Sequence, residues 1–124
     1  FVFKLPRHAG KLPRPQTGVT VVLCARNAAA LLRENLPTVL EQHYDGPWEV
    51  VVVDDASTDG TGSLLLDFSS QYPHLRVVSV PKKTHPGKKF ALEQGIRAAR
   101  FENLVFTDAD CRPASPHWLS LISD

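Results

Sequence analysis

Asp108-Ala109-Asp110 follows the largely apolar run Leu104-Val105-Phe106-Thr107, so two carboxylates one residue apart close what reads as a buried strand. Carboxylates so placed are costly unless positive charge sits between or beside them. The usual compensation is a divalent cation on oxygen ligands, most often Mg²⁺ or Mn²⁺ that also grips a phosphate. A second acidic pair, Asp54-Asp55, follows Val50-Val51-Val52-Val53. An acid there can accept hydrogen bonds from a nucleoside's ring N–H or hydroxyls. Each pair alone has a plainer reading, as turn aspartates or, for Asp55 and Ser57, as caps of the next helix. Two strand-end acidic sites in one small chain point instead to a crevice that binds nucleotide phosphates.

The elements that must position these residues alternate along the chain. Val19 to Cys24 is a short β-branched run that predicts a buried strand. Leu31, Leu32, Leu36, Val39 and Leu40 then recur at helical spacing across Ala28 to Gln42, where Pro37 is expected to bend or break the helix unless it starts a new turn. Trp48 to Val53 predicts a second strand. Ser57, Thr58 and Asp59 are N-cap candidates for a helix from about Thr61 to Gln71, with Leu64, Leu65 and Phe68 inward. Leu75 to Val80 predicts a third strand, Pro81 to Gly87 a turn-rich loop, Lys88 to Arg100 a helix, and Asn103 to Thr107 a fourth strand. Pro116 at a first helical turn opens a last helix.

Every strand is nearly continuous in apolar residues and every connection is helical. That combination predicts an α/β, Rossmann-like fold with a predominantly parallel sheet of about four strands flanked by helices. Ligands in such sheets bind beyond the carboxyl ends of the strands, where strand order reverses. Cys24 to Asn27, Asp54-Asp55 and Asp108 to Asp110 all fall at such ends.

Bulk properties exclude other classes. The chain has 124 residues, 43% hydrophobic and 22% charged, as expected of one small globular domain. A net charge of +1, with no basic stripe interleaved with aromatics, argues against nucleic acid as a partner. No run of about 18 apolar residues is present to span a membrane. Residues 1–17 carry Pro6, Pro13 and Pro15 among Lys4, Arg7, Lys11 and Arg14, and read as a basic, poorly ordered leader: a solvated linker, or a juxtamembrane segment of a longer protein. Residues 18–124 are the domain. Cys24 and Cys111 make no CxxC or zinc spacing and read as small apolar fillers in a reducing compartment, although a disulfide is conceivable if their strands are neighbours. Gly87-Lys88-Lys89 is not a phosphate loop, because position 82, where the first glycine belongs, is lysine. Lys88 and Lys89 can still bring positive charge to a diphosphate. No GxGxxG follows the first strand, and neither His85 nor any other histidine has a partner at ligand spacing.

Four stretches, in order and spacing, resemble the nucleotide-binding half of family 2 glycosyltransferases of the GT-A fold. They are Val19 to Asn27, Val50 to Thr61 with its Asp54-Asp55-Ala56-Ser57-Thr58-Asp59-Gly60-Thr61, Gly87 to Leu92, and Phe106 to Cys111. The resemblance implies that Ala25 and Arg26 line the nucleoside pocket and that Asp54 and Asp55 contact the base or ribose. It also implies that Lys88 lies near the base and phosphates, that Asp108 faces ribose and metal, and that Asp110 is the direct metal ligand. It implies a nucleoside-diphosphate sugar donor, with UDP foremost, Mg²⁺ or Mn²⁺ as cofactor, and inverting transfer to a hydroxyl of a glycan, lipid or other acceptor. A membrane tether of the full-length protein, at the cytoplasmic face, belongs to the same expectation.

Two other families compete. A receiver-type signalling domain also places an acid pair after an apolar strand, but here a complete strand–helix unit precedes Asp54-Asp55. A haloacid-dehalogenase-type phosphatase would use Asp108 as nucleophile, but its motif stands near the N-terminus and has Thr or Val where this chain has Arg112. The chain starts with Phe1 and stops at Asp124 inside a new helical pattern, so it reads as a fragment. The family's catalytic base, and any QxxRW-type acceptor segment, are expected downstream. The purified chain is therefore expected to bind nucleotide without turnover; release of nucleoside diphosphate above the uncatalysed rate, from any nucleotide-sugar and acceptor, would contradict this.

Overall fold

The computed structural model describes residues 2–4 and 18–123. Its elements, in chain order, are β1 (Val2–Lys4), β2 (Val19–Ala25), α1 (Ala29–Leu40), β3 (Trp48–Asp55), α2 (Thr61–Gln71), β4 (Leu75–Val80), α3 (Lys89–Ala98), β5 (Asn103–Asp108) and α4 (Trp118–Ser123). The sheet order is β1-β5-β2-β3-β4. β5, β2, β3 and β4 are mutually parallel, as their apolar runs predict, and β1 pairs antiparallel on the edge of β5. β1 falls within the stretch read as leader, where three residues are too few to show a period. The rest of that stretch, residues 5–17, lies outside the described residues.

The sheet is buried on both faces because each strand sends alternate side chains to opposite sides. Val50 and Val52 join Leu32, Leu36, Val39, Leu65, Phe68 and Leu119, so α1, α2 and α4 cover one face. Val51 and Val53 join Val80 and Ala91 under α3 on the other. Gly95 lets α3 approach closely: a Cβ there would stand 2.6 Å from Val22 Cγ1 and 3.1 Å from Val53 Cγ2.

Pro37 neither breaks nor ends α1, which continues to Leu40. Proline removes one backbone bond, but Leu36, Val39 and Leu40 are buried around it, and their packing carries the helix through. The helix stops at Leu40 rather than at Gln42. Ser57 and Thr58 do not cap α2; Gly60 holds that position and makes no side-chain cap bond. Asp59 acts just ahead of the helix, its Oδ1 accepting from Thr61 N–H at 2.9 Å. The Thr61 hydroxyl, which donates to the same oxygen, and this N–H hold the Asp59 carboxyl below its ordinary range.

At the opening of β3, buried Glu49 accepts from Thr20 Oγ1 at 2.9 Å, from the Arg100 backbone N–H at 2.7 Å and from Arg76 Nη1 at 3.3 Å. It ties the starts of β2, β3 and β4 to the α3–β5 connection, at the end of the sheet opposite the acidic pairs. Among the described residues no helix is long and apolar enough to cross a membrane. Overpacking of the Gly95 contact is expected to outweigh the helix propensity gained: Gly95→Ala should lower stability by about 1–2 kcal/mol in urea or thermal unfolding.

Candidate functional site

Chain direction in the sheet decides where a ligand can sit. From β2 the chain steps outward to β3 and β4, then crosses back to lay β5 on the other side of β2. Strand order reverses between β2 and β5, and a crevice opens beyond their carboxyl ends. Register there aligns Cys24 with Asp108 and Ala25 with Asp54.

A cavity of about 430 Å³ occupies this place, lined by Cys24, Ala25, Arg26, Ala28, Leu31, Asp55, Lys88, Asp108, Ala109 and Asp110. The structure thus brings together six residues singled out in the sequence: Ala25, Arg26, Asp55, Lys88, Asp108 and Asp110. The seventh, Asp54, is not among the lining residues. It lies on the α2 side of β3, where its Oδ1 accepts from the Ser57 N–H at 3.2 Å and Gly62 approaches its Oδ2. Period-two alternation separates the adjacent aspartates: one braces a loop, the other faces the crevice.

Two lysines answer the electrostatic cost of the acids. Lys83 Nζ donates to Asp55 Oδ2 at 2.6 Å and to the Gly87 carbonyl at 2.5 Å, tying the β4–α3 loop across Asp55. Lys88 Nζ donates to Asp108 Oδ1 at 2.9 Å. This bond raises the Lys88 ammonium above its ordinary value, so it is a lasting cation at neutral pH. Both Lys88 and Asp108 are well exposed, so the pair is worth under about 1 kcal/mol and can be exchanged. Burial, helped by the Asp55 carboxylate, pushes the Cys24 thiol up to about 11, which leaves it protonated and unreactive at neutral pH. Both cysteines are free thiols.

Among the described residues no group of three or more His, Cys, Asp or Glu side chains could enclose a metal by itself. Asp108 and Asp110 nevertheless suit Mg²⁺ or Mn²⁺, which bind through one or two carboxylates and take their remaining ligands from water and phosphate. The Lys88 ammonium on Asp108 shows that this carboxylate already accepts a cation.

The loops that carry the site are zipped together by Asn27, to which the sequence assigned no role, and by residues 57–59, which it offered as helix caps. Asn27 adopts φ 50° and Ala56 φ 57°, a left-handed region that asparagine tolerates better than alanine. Asn27 Oδ1 accepts from the backbone N–H groups of Thr58 at 2.7 Å and Asp59 at 3.2 Å, while its own N–H donates to Ser57 Oγ at 3.0 Å. Thr61 Oγ1 accepts the Ala28 N–H at 3.0 Å. The polar run 57–61 therefore joins the β3 end to the β2 end rather than capping α2. Leu31 and Ala28 were also missed as lining residues, because helical spacing alone assigns Leu31 to the core; it is 45% exposed.

The fold is thus a Rossmann-like parallel sheet with acids at its switch point. The chain belongs to glycosyl transferase family 2, whose family model matches residues 20–123. It is 30% identical to the beta-monoglucosyldiacylglycerol synthase of a Nostoc species, an alignment covering 98% of this chain and 26% of that protein. It superposes with a TM-score of 0.73 and 37% identity on the mannosyltransferase PcManGT from Pyrobaculum calidifontis, solved with GDP-Man and Mn²⁺; the match covers 87% of this chain and 31% of the other. Staphylococcus aureus TarS 1-349 with UDP-GlcNAc aligns with a TM-score of 0.62 and 29% identity, over 85% of this chain and 29% of the other. The chain thus spans about a quarter to a third of the length of these relatives. Family membership replaces the receiver and phosphatase alternatives.

Removing the Asn27 acceptor is expected to separate the two loops. Asn27→Ala should cost about 1–2 kcal/mol in urea unfolding, and Asn27→Asp, which keeps an acceptor oxygen, should recover most of it.

Proposed function

We propose that the chain is the donor-binding part of a glycosyltransferase, holding a nucleoside-diphosphate sugar together with Mg²⁺ or Mn²⁺. The observation that carries this reading is the crevice at the β2–β5 switch point, with Asp55 at one wall and Asp108 and Asp110 at the other. Ala25 and Arg26 would line the nucleoside, and Asp55 would accept from the base or ribose. Asp54 would serve that contact indirectly, by holding the Ser57 backbone. Asp108 and Asp110 would hold the metal, which when bound offsets the negative charge developing on the diphosphate as the glycosyl bond breaks. Lys88 sits where its ammonium can leave Asp108 for a phosphate oxygen once that carboxylate has a metal.

The relatives support a nucleotide-sugar donor and leave the base open, since one is solved with GDP-Man and another with UDP-GlcNAc. A single acidic residue facing the base is sufficient for uracil, whose edge presents one N–H, and UDP remains our preferred nucleotide. Inverting transfer to a hydroxyl of a lipid or glycan, with a base downstream of Asp124 and a membrane-associated full-length protein, completes the proposal. The diacylglycerol product in the name of the Nostoc relative is in keeping with a lipid acceptor.

Titration of the purified chain with UDP, GDP and CDP, with and without Mn²⁺, tests the site. Mn²⁺ should tighten nucleoside-diphosphate binding, and Asp110→Ala should remove at least about tenfold in affinity, or about 1.4 kcal/mol, in the presence of Mn²⁺ only. Metal-independent binding that leaves the Asp108 and Asp110 amide signals unmoved would remove the metal assignment.

A further inference from the structure

The Asp108-Ala109-Asp110 turn has to present two carboxylates in fixed directions, yet only Asp108 is held in the sheet ladder, opposite Cys24, while Ala109 and Asp110 lie beyond the end of β5. One backbone bond closes it, from the Cys111 N–H to the Asp108 carbonyl at 2.9 Å. Ala109 packs against the main core cluster, which fixes depth but not rotation. Rotation is set from α1. Asn35, 7% exposed, donates from Nδ2 to the Ala109 carbonyl at 3.3 Å. That carbonyl belongs to the planar peptide joining Ala109 to Asp110, so holding its oxygen fixes the plane from which the Asp110 side chain departs.

A second buried amide, seven residues on, holds the far end of the same segment. Gln42, also 7% exposed, donates from Nε2 to the carbonyls of Thr38 and Ser115, each at 3.0 Å, and accepts at Oε1 from the Leu119 N–H at 2.9 Å. The His43 N–H donates to the Pro116 carbonyl at 2.7 Å beside it. Buried amides cost free energy unless bonded, and apolar residues here would close the core equally well. Asn35 donates to the backbone of residue 109 and Gln42 to that of residue 115, Gln42 also donating to Thr38.

We propose that Asn35 is a positioning residue for the acidic turn, acting through the Ala109 carbonyl to orient Asp110 toward the metal and diphosphate. The proposal rests on the metal-assisted nucleotide reading above and names the helix that serves it. Asn35 is not among the residues that line the crevice. Its effect is therefore confined to the metal-dependent part of binding.

The test compares wild type with Asn35→Asp, which keeps the shape and replaces the donor by an oxygen, and Asn35→Ser, whose hydroxyl is too short to reach and which adds no bulk. Calorimetry measures affinity for UDP, or for GDP if wild type binds it tighter, with and without Mn²⁺, and affinity for the bare nucleoside. The expected result is that the Mn²⁺-dependent gain in affinity falls about tenfold in either variant, as for other residues that orient metal ligands. Nucleoside affinity should stay within about twofold, and Mn²⁺ broadening of the Asp110 amide signal should weaken. Equal losses for nucleoside and for metal-assisted diphosphate binding would mean that Asn35 only supports the fold, and an unchanged Mn²⁺ effect would remove its positioning role; either overturns the proposal. If Mn²⁺ has no effect on the wild-type chain, the metal reading itself falls and the positioning role falls with it. If one variant does not fold, the other decides.

Discussion

The parallel pairing of β2 with both β3 and β5 is the constraint on which the rest of the structure depends. It places Cys24 opposite Asp108 and Ala25 opposite Asp54, and so brings acids more than fifty positions apart in sequence to one edge of the sheet. A slip of one residue in either pairing would turn apolar residues away from their core and reverse which acid faces the crevice. The buried valines on both faces hold the register against such a slip, because each has a helix to meet.

Collecting carboxylates at one edge creates a charge problem that the loops resolve. Lys83 and Lys88 come from one connection, β4–α3, and reach opposite walls of the crevice, Asp55 and Asp108. The first pair is largely shielded and also binds the Gly87 carbonyl, so it shapes the loop. The second stands in water, where an ion pair is weak and exchangeable. Two of the crevice's three acids are thus paired within the chain, one firmly and one exchangeably. Asn27 holds the neighbouring β2 and β3 ends together through the Thr58 and Asp59 N–H groups.

Much of this was legible in the residues. The β-branched run Val19 to Cys24 and the valine run Val50 to Val53 identified β2 and β3, and strand–helix alternation identified a parallel sheet with helices on both faces. Asp108 and Asp110 were legible as strand-end acids that call for a compensating cation, and Lys88 supplies one to Asp108. The limits were local. Pro37 was weighed by its own backbone cost, whereas buried neighbours on both sides outweigh it. Ser57 and Thr58 have the composition of helix caps, but Asn27 takes them, a partner about thirty positions away that no window along the chain contains. Lys83 stands among several basic residues and is distinguished only by what it reaches.

The amino-acid sequence by itself determined the fold class, the family resemblance and the identity of the acids, because these depend on periodicity and residue type, which are properties of short segments. Tertiary structure alone decided that Asp55 faces the cavity while Asp54 braces a loop, that Lys88 occupies Asp108, and that α1 holds the acidic turn through Asn35. Those outcomes depend on which strands become neighbours and in what register. That is set by the packing of the whole sheet against its helices, not by any one segment. The two strand-end pairs thus have different duties: 108 and 110 share the crevice, whereas 54 and 55 are parted by the pleat of a single strand.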